Sequence, residues 1–216
     1  MQLDGDKSDY GSLPPQTKGH KGPTLAYRKI EQLEYDPLFL AYMQQPLFHS
    51  ICAHIYGPDT PIRCFRAMFM NKPAHQGKFL PWHQDRWKSL DRDPLITIYL
   101  SLDPATKANG CIQLIPGSHQ MGVVNPTHPS GFLTEQQAAE YCAQDKRMFL
   151  ETDPGEVTLL HNWTLHGSDV NQTDIPRRAF SICYMHGRTN DQHHSDKYAL
   201  IFGDGALDPR TVRPTV

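Results

Sequence analysis

His83-Gln84-Asp85, with His166 far downstream in Leu165-His-Gly-Ser168, supplies the residue types that hold a divalent metal. Two imidazoles and one carboxylate leave the other coordination positions to water or substrate, which is the donor set of non-haem Fe(II) oxygenases. In an extended strand the side chains of residues 83 and 85 emerge on one face, so one rigid edge could present both. His166 must then arrive from a distant strand. A His-x-Asp tripeptide also occurs by chance, and a surface His and Asp with no metal is the competing reading.

A second candidate is Arg177, which opens the run Arg177-Arg-Ala-Phe-Ser-Ile-Cys-Tyr184. Period-two alternation sets Arg177 with Ala179, Ser181 and Cys183, all small, and Arg178 with Phe180, Ile182 and Tyr184. A guanidinium beside small residues has room to reach into a cavity, where its planar fork suits a carboxylate. A surface pair of arginines after a proline turn is the alternative.

The elements that must position these side chains are mostly strands. The 216 residues include 18 prolines and 15 glycines, which disfavours long helices and favours short strands joined by turns. Period-two runs predict strands near 62–70, 95–102, 111–115, 156–160 and 178–186. In the second of these, Ile96, Ile98, Leu100 and Leu102 form an apolar face, and Thr97, Tyr99 and Ser101 a polar one. Asp36-Pro37 reads as the N-cap and first residue of a helix. Pro46 restarts a second helix that Gly57 stops, and Thr134 with Gln137 forms a capping box for a third reaching about Gln144. Residues 1–24 have no apolar period and are expected to be a loop or lid, with 25–216 as a single domain. Strands without alternating helices, and no glycine-rich phosphate loop, point to an antiparallel jelly roll.

Charge and cysteine content narrow the partners. With 21 basic and 23 acidic side chains there is no basic stripe for a nucleic-acid backbone. No stretch is apolar enough to span a membrane. Five cysteines, odd in number and without a CxxC pair, suit reduced thiols. With no apolar leader segment, a cytosolic protein acting on a small molecule is expected.

Taken together, Trp82-His-Gln-Asp85, Asn109-Gly-Cys-Ile-Gln-Leu-Ile-Pro-Gly-Ser-His119, Leu165-His-Gly-Ser168 and Arg177 resemble the phytanoyl-CoA dioxygenase family of Fe(II)- and 2-oxoglutarate-dependent oxygenases. The resemblance runs from about Arg66 to His186. It implies a double-stranded β-helix, a cupin-like jelly roll, with iron on His83, Asp85 and His166. It also implies that Arg177 and Ser168 hold the distal carboxylate of 2-oxoglutarate, with Tyr99 and Met68 lining that pocket. The implied activity hydroxylates a small-molecule C–H bond, consumes O2, releases succinate and CO2, and is stimulated by ascorbate.

Weaker candidates for contact with substrate are Arg66, Gln113, Trp82 and Trp163. Arg66 shares strand parity with Met68, Gln113 is polar between two apolar residues, and the tryptophans flank the metal ligands in sequence. Two other classes stay open: a zinc hydrolase or isomerase on a cupin-like barrel, which leaves Arg177 and Ser168 without a role, and a non-catalytic binding module derived from an oxygenase.

Overall fold

A computed structural model describes residues 2–4, 28–75, 77–193 and 198–212. Two short strands, β1 (Gln2–Asp4) and β2 (Lys29–Glu31), precede two helices, α1 (Pro37–Met43) and α2 (Pro46–Tyr56). The Asp36 carboxylate accepts from the Leu38 amide at 2.9 Å, which caps α1 and satisfies one of its free donors. Gly57 ends α2 at φ 101°, a left-handed conformation that a side chain disfavours. The strands β3 (Ile62–Lys72), β4 (Leu80–His83), β5 (Ile96–Ser101) and β6 (Ile112–Leu114) follow. After helix α3 (Glu135–Tyr141) come β7 (Met148–Leu150), β8 (Val157–His161), β9 (His166–Ser168), β10 (Arg177–His186) and β11 (Leu200–Phe202).

The strands form two antiparallel sheets. The larger runs β1-β2-β3-β10-β5-β8 with β11 also on β3, and the smaller runs β4-β9-β6-β7. This is the two-sheet, mainly β architecture expected of a double-stranded β-helix. The five anticipated strands correspond to β3, β5, β6, β8 and β10. Among the described residues no helix is long and apolar enough to cross a membrane.

The two faces of β5 and β10 explain where core and cavity separate. Ile96, Ile98, Phe180, Ile182 and Tyr184 pack outward against Leu40, Met43, Phe48 and Cys52 from the helices. Ile98 and Ile182 are fully buried, and truncating either to Ala would cost roughly 2–5 kcal/mol. The Tyr184 hydroxyl donates to Met43 O at 2.7 Å, which ties the sheet to α1. The opposite face, with Thr97, Tyr99 and Ser181, turns inward and lines the cavity between the sheets.

Three expectations change. The capping box of Thr134 and Gln137 is present, but α3 ends at Tyr141 rather than near Gln144, because Cys142 (φ −114°, ψ 38°) and Ala143 (ψ 149°) leave helical geometry. Leu102 lies past the end of β5 and is exposed rather than on the apolar face. Of the segment 1–24, Gln2–Asp4 pairs with the edge of β2 instead of looping. The rest of that segment lies outside the described residues.

Candidate metal centre

His83 ends β4, His166 begins β9, and the two are register partners in the ladder between these strands. Their ring centroids are 4.2 Å apart. Each Nδ1 lies against a carbonyl two residues earlier, Pro81 O at 2.8 Å and Thr164 O at 2.9 Å. A carbonyl can only accept, so Nδ1 donates in both rings and Nε2 keeps its lone pair for a metal. The Asp85 carboxylate faces both, Oδ1 being 3.7 Å from His83 Nε2 and Oδ2 3.7 Å from His166 Nε2. One donor atom from each of the three residues lies within 4.8 Å of the others. Burial, and after it the neighbouring His166, lowers the His83 pKa to about 3, which keeps the ring in the neutral form that binds metal.

β4 stops at His83, so Asp85 is not on the same strand as expected. Its placement comes from hydrogen bonds in the turn. The Asp85 amide donates to Asn162 O at 2.7 Å, and Gln84 fastens the turn from inside. Gln84 is fully buried. Its Nε2 donates to Gly122 O (2.8 Å) and Trp163 O (2.7 Å), and its Oε1 accepts from the Val124 amide (2.8 Å). Sequence reasoning passed over this residue, although a long amide set between two ligands was the available signal.

A cavity of about 1220 Å³ opens between the sheets, lined by the three ligands together with Met68, Tyr99, Ser168 and Arg177. Arg177 is buried and points inward with Ser181, in line with the alternation of β10. Its NH1 donates to the Tyr99 hydroxyl. Arg177 Nε and Ser168 Oγ are both buried without a hydrogen-bond partner among the described residues, a condition that costs about 1–3 kcal/mol per group unless a ligand satisfies it. Two such donors in one cavity fit an oxyanion, and the set of two imidazoles and one carboxylate fits Fe(II). Lys72, the register partner of Arg177, was not anticipated from sequence. It donates to Lys78 O at 2.7 Å and to Asp169 O. Burial, and then the Arg177 charge, lower its pKa to about 7.

The weaker candidates divide. Arg66 lines the cavity. Trp82 does not: the alternation that turns His83 inward turns Trp82 outward, where it packs with Ile115, Cys142 and Leu165. Gln113 also faces away, its amide donating to the Asp169 carboxylate, while its neighbour Ile112 takes the inward position. The Trp163 indole N–H donates to Asp93 at 3.2 Å, and the residue is absent from the cavity wall. Glu34 is an unanticipated member of that wall. It is 8% exposed and its Oε2 has no partner among the described residues. Burial raises its pKa to about 7 against the pull of the Glu34 and Ala67 amides.

A facial triad of two histidines and a carboxylate, in the mouth of a two-sheet β fold, is the catalytic-site type of the Fe(II)- and 2-oxoglutarate-dependent oxygenases. The family profile described as phytanoyl-CoA dioxygenase (PhyH) matches residues 20–179. The chain belongs to the phytanoyl-CoA dioxygenase family. It is similar to a probable phytanoyl-CoA dioxygenase of Caenorhabditis elegans, 28% identical over 170 residues, covering 74% of this chain and 54% of that protein. It is also similar to the peroxisomal phytanoyl-CoA dioxygenase of Homo sapiens, 24% identical over 177 residues, covering 78% of this chain and 51% of that one. The chain thus spans about half the length of the curated relatives it matches. Among solved structures, EctD from S. alaskensis with 2-oxoglutarate and 5-hydroxyectoine superposes with a TM-score of 0.64 at 21% identity, covering 74% of this chain and 57% of EctD. That likeness concerns the fold.

The expectation of a cytosolic protein is overturned, since the human and rat phytanoyl-CoA dioxygenases that resemble this chain are named as peroxisomal. A peroxisomal address is read by a receptor rather than through an apolar segment. An expectation argued from apolar segments therefore could not separate the two compartments.

Proposed function

We propose that residues 25–216 act as one oxygenase domain, which uses Fe(II) and 2-oxoglutarate to hydroxylate a C–H bond of a small molecule, releasing succinate and CO2. The observation that carries this reading is the pairing of a metal-ready triad with the unpartnered Arg177 Nε and Ser168 Oγ in the same cavity. His83 and His166 would hold iron through Nε2, and Asp85 through its carboxylate. When bound, iron and 2-oxoglutarate supply the oxidising chemistry with O2 as the oxidant, and ascorbate is expected to sustain turnover by keeping the metal ferrous.

The chain's own share is positioning and electrostatics. Arg177 neutralises the distal carboxylate of 2-oxoglutarate, and Ser168 donates a further hydrogen bond to it. Tyr99 accepts from Arg177 NH1 and so fixes the plane of the guanidinium. Met68 supplies apolar wall in the same cavity. A zinc hydrolase would leave the Arg177–Ser168 pair idle, and a non-catalytic module would have no need of two Nε2 lone pairs held toward a carboxylate. The test is succinate release from 2-oxoglutarate over a pool of small metabolites, with Fe(II) and with Zn(II). Substrate-stimulated succinate with iron alone is the expected outcome; hydrolysis or isomerisation with zinc and no succinate would replace this reading.

A further inference from the structure

Besides Arg177, the wall of the cavity carries Arg28, Lys29 and Arg66, and of these three Arg66 is the candidate anion receptor. Arg66 shares the inward parity of β3 with Met68 and stands opposite Cys183 of β10. Arg66 shares the cavity wall with His83, Asp85 and His166. Its guanidinium carbon lies 4.8 Å from the centroid of the Trp87 ring and 5.0 Å from that of Phe65. Aromatic contacts of this kind hold the plane of an arginine while leaving its N–H edge free to donate.

No described carboxylate neutralises that edge. The cavity wall carries Glu31, Glu34, Asp85 and Asp191, and none of them forms an ion pair or hydrogen bond with Arg66. Asp85 faces His83 and His166. Asp191 accepts from the Tyr198 hydroxyl at 2.6 Å and from the His193 amide at 2.9 Å. The Arg66 side chain has neither a hydrogen bond nor an ion pair with a described residue, in contrast to Arg178, whose fork is closed on Asp103. A guanidinium that is oriented, cavity-facing and unneutralised is a receptor for a planar or tetrahedral oxyanion.

We propose that the substrate carries an oxyanion group, a carboxylate or a phosphate-type group, that docks on Arg66 and so presents a neighbouring carbon to the metal. The inference rests on the oxygenase reading above and names the substrate class for it. The rings of Trp87, Phe65 and Tyr198 beside Arg66 add that the portion next to the anion is apolar.

The test is isothermal titration of the full chain, saturated with Mn(II) and 2-oxoglutarate so that Arg177 is already engaged. The probes are phenylphosphonate, phenylacetate and the neutral benzyl alcohol. Saturable binding of at least one of the two anions and weaker binding of the alcohol are expected. Arg66→Gln should weaken the anion at least tenfold, Arg66→Lys should recover part of the loss, and the affinity for 2-oxoglutarate itself should not move. Equal anion binding by Arg66→Gln, tighter binding of the alcohol, or no anion binding while 2-oxoglutarate binds normally would each overturn the proposal. Failure of 2-oxoglutarate to bind the unmodified protein would instead bring down the oxygenase reading beneath it.

Discussion

The side-chain amide of Gln84 donates to the main-chain carbonyl of Trp163, joining the turn between His83 and Asp85 to the segment that leads into His166. One buried glutamine thus holds the two ligand-bearing stretches at a fixed separation, and its other hydrogen bonds close on Gly122 and Val124.

Gln84→Ala leaves two half-buried carbonyls and one half-buried amide without their partner. It should destabilise the fold by about 2–4 kcal/mol. Metal affinity should fall by roughly 10–100-fold although no ligand is touched, as for other groups that orient ligands. Urea unfolding and equilibrium dialysis against Mn(II) measure the two effects separately.

His83→Ala removes one of two facing imidazoles and should reduce metal affinity by more than the Gln84 change does. Ring stacking with Phe132 at 4.7 Å is lost as well, so a modest drop in stability is expected. Fe(II)-dependent succinate release should be abolished, and neither excess metal nor raised pH should restore it.

Arg177→Ala should weaken 2-oxoglutarate binding by roughly 2–5 kcal/mol while Mn(II) affinity stays near its original value. Arg178→Ala should spare 2-oxoglutarate but cost stability, because its fork grips Asp103 at 2.7 and 2.8 Å. With the arginine partly exposed, the loss should be about 1 kcal/mol. Burial alone would raise the Asp103 carboxyl; the bonds from Arg178 outweigh it and hold the group below its ordinary range. The contribution of this pair is therefore present above the unfolded pKa and lost as pH falls through the folded one. Chemical denaturation of both proteins near neutrality and in acid checks it.

Glu34 gives the opposite pH dependence. Its folded pKa of about 7 lies above the ordinary value of 4.5, so protonation favours the native state. The stabilisation is complete below about 4.5 and is lost as pH rises through 7. Glu34→Gln keeps the acceptor for the Ala67 amide and removes the ionisation. At pH 8 it should be more stable than the original protein by up to about 3 kcal/mol, with little difference at about pH 4.5. Denaturation midpoints at the two values measure it.

Long strands made much of this site legible in the sequence. β10 is ten residues long, enough for alternation to separate the inward Arg177, Ala179 and Ser181 from the outward Phe180 and Ile182. β5 likewise announced Tyr99. Strands of three or four residues, such as β4, β6 and β9, are too short to declare a period, and their inward faces depend on register with partners distant in sequence. Gln113 and Trp82 were misplaced for that reason. Glu34 and Lys72 were invisible because a buried charge has no sequence signature; its burial is decided by what the rest of the chain packs over it.

β9 also acts as a ruler. His166 and Ser168 face the same cavity two residues apart, a separation of roughly 6.6 Å along an extended strand. With His166 on the metal and Ser168 on the distal carboxylate, as proposed, the backbone itself fixes how many carbons can lie between the two ends of a 2-oxo diacid. The strand cannot stretch, and Gly167 between them has no room for a side chain against Leu80 O. Oxaloacetate, one carbon shorter, would reach one anchor and miss the other, and 2-oxoadipate, one carbon longer, would have to buckle. On the proposed roles of His166 and Ser168, a three-residue strand would set the chain length of the co-substrate.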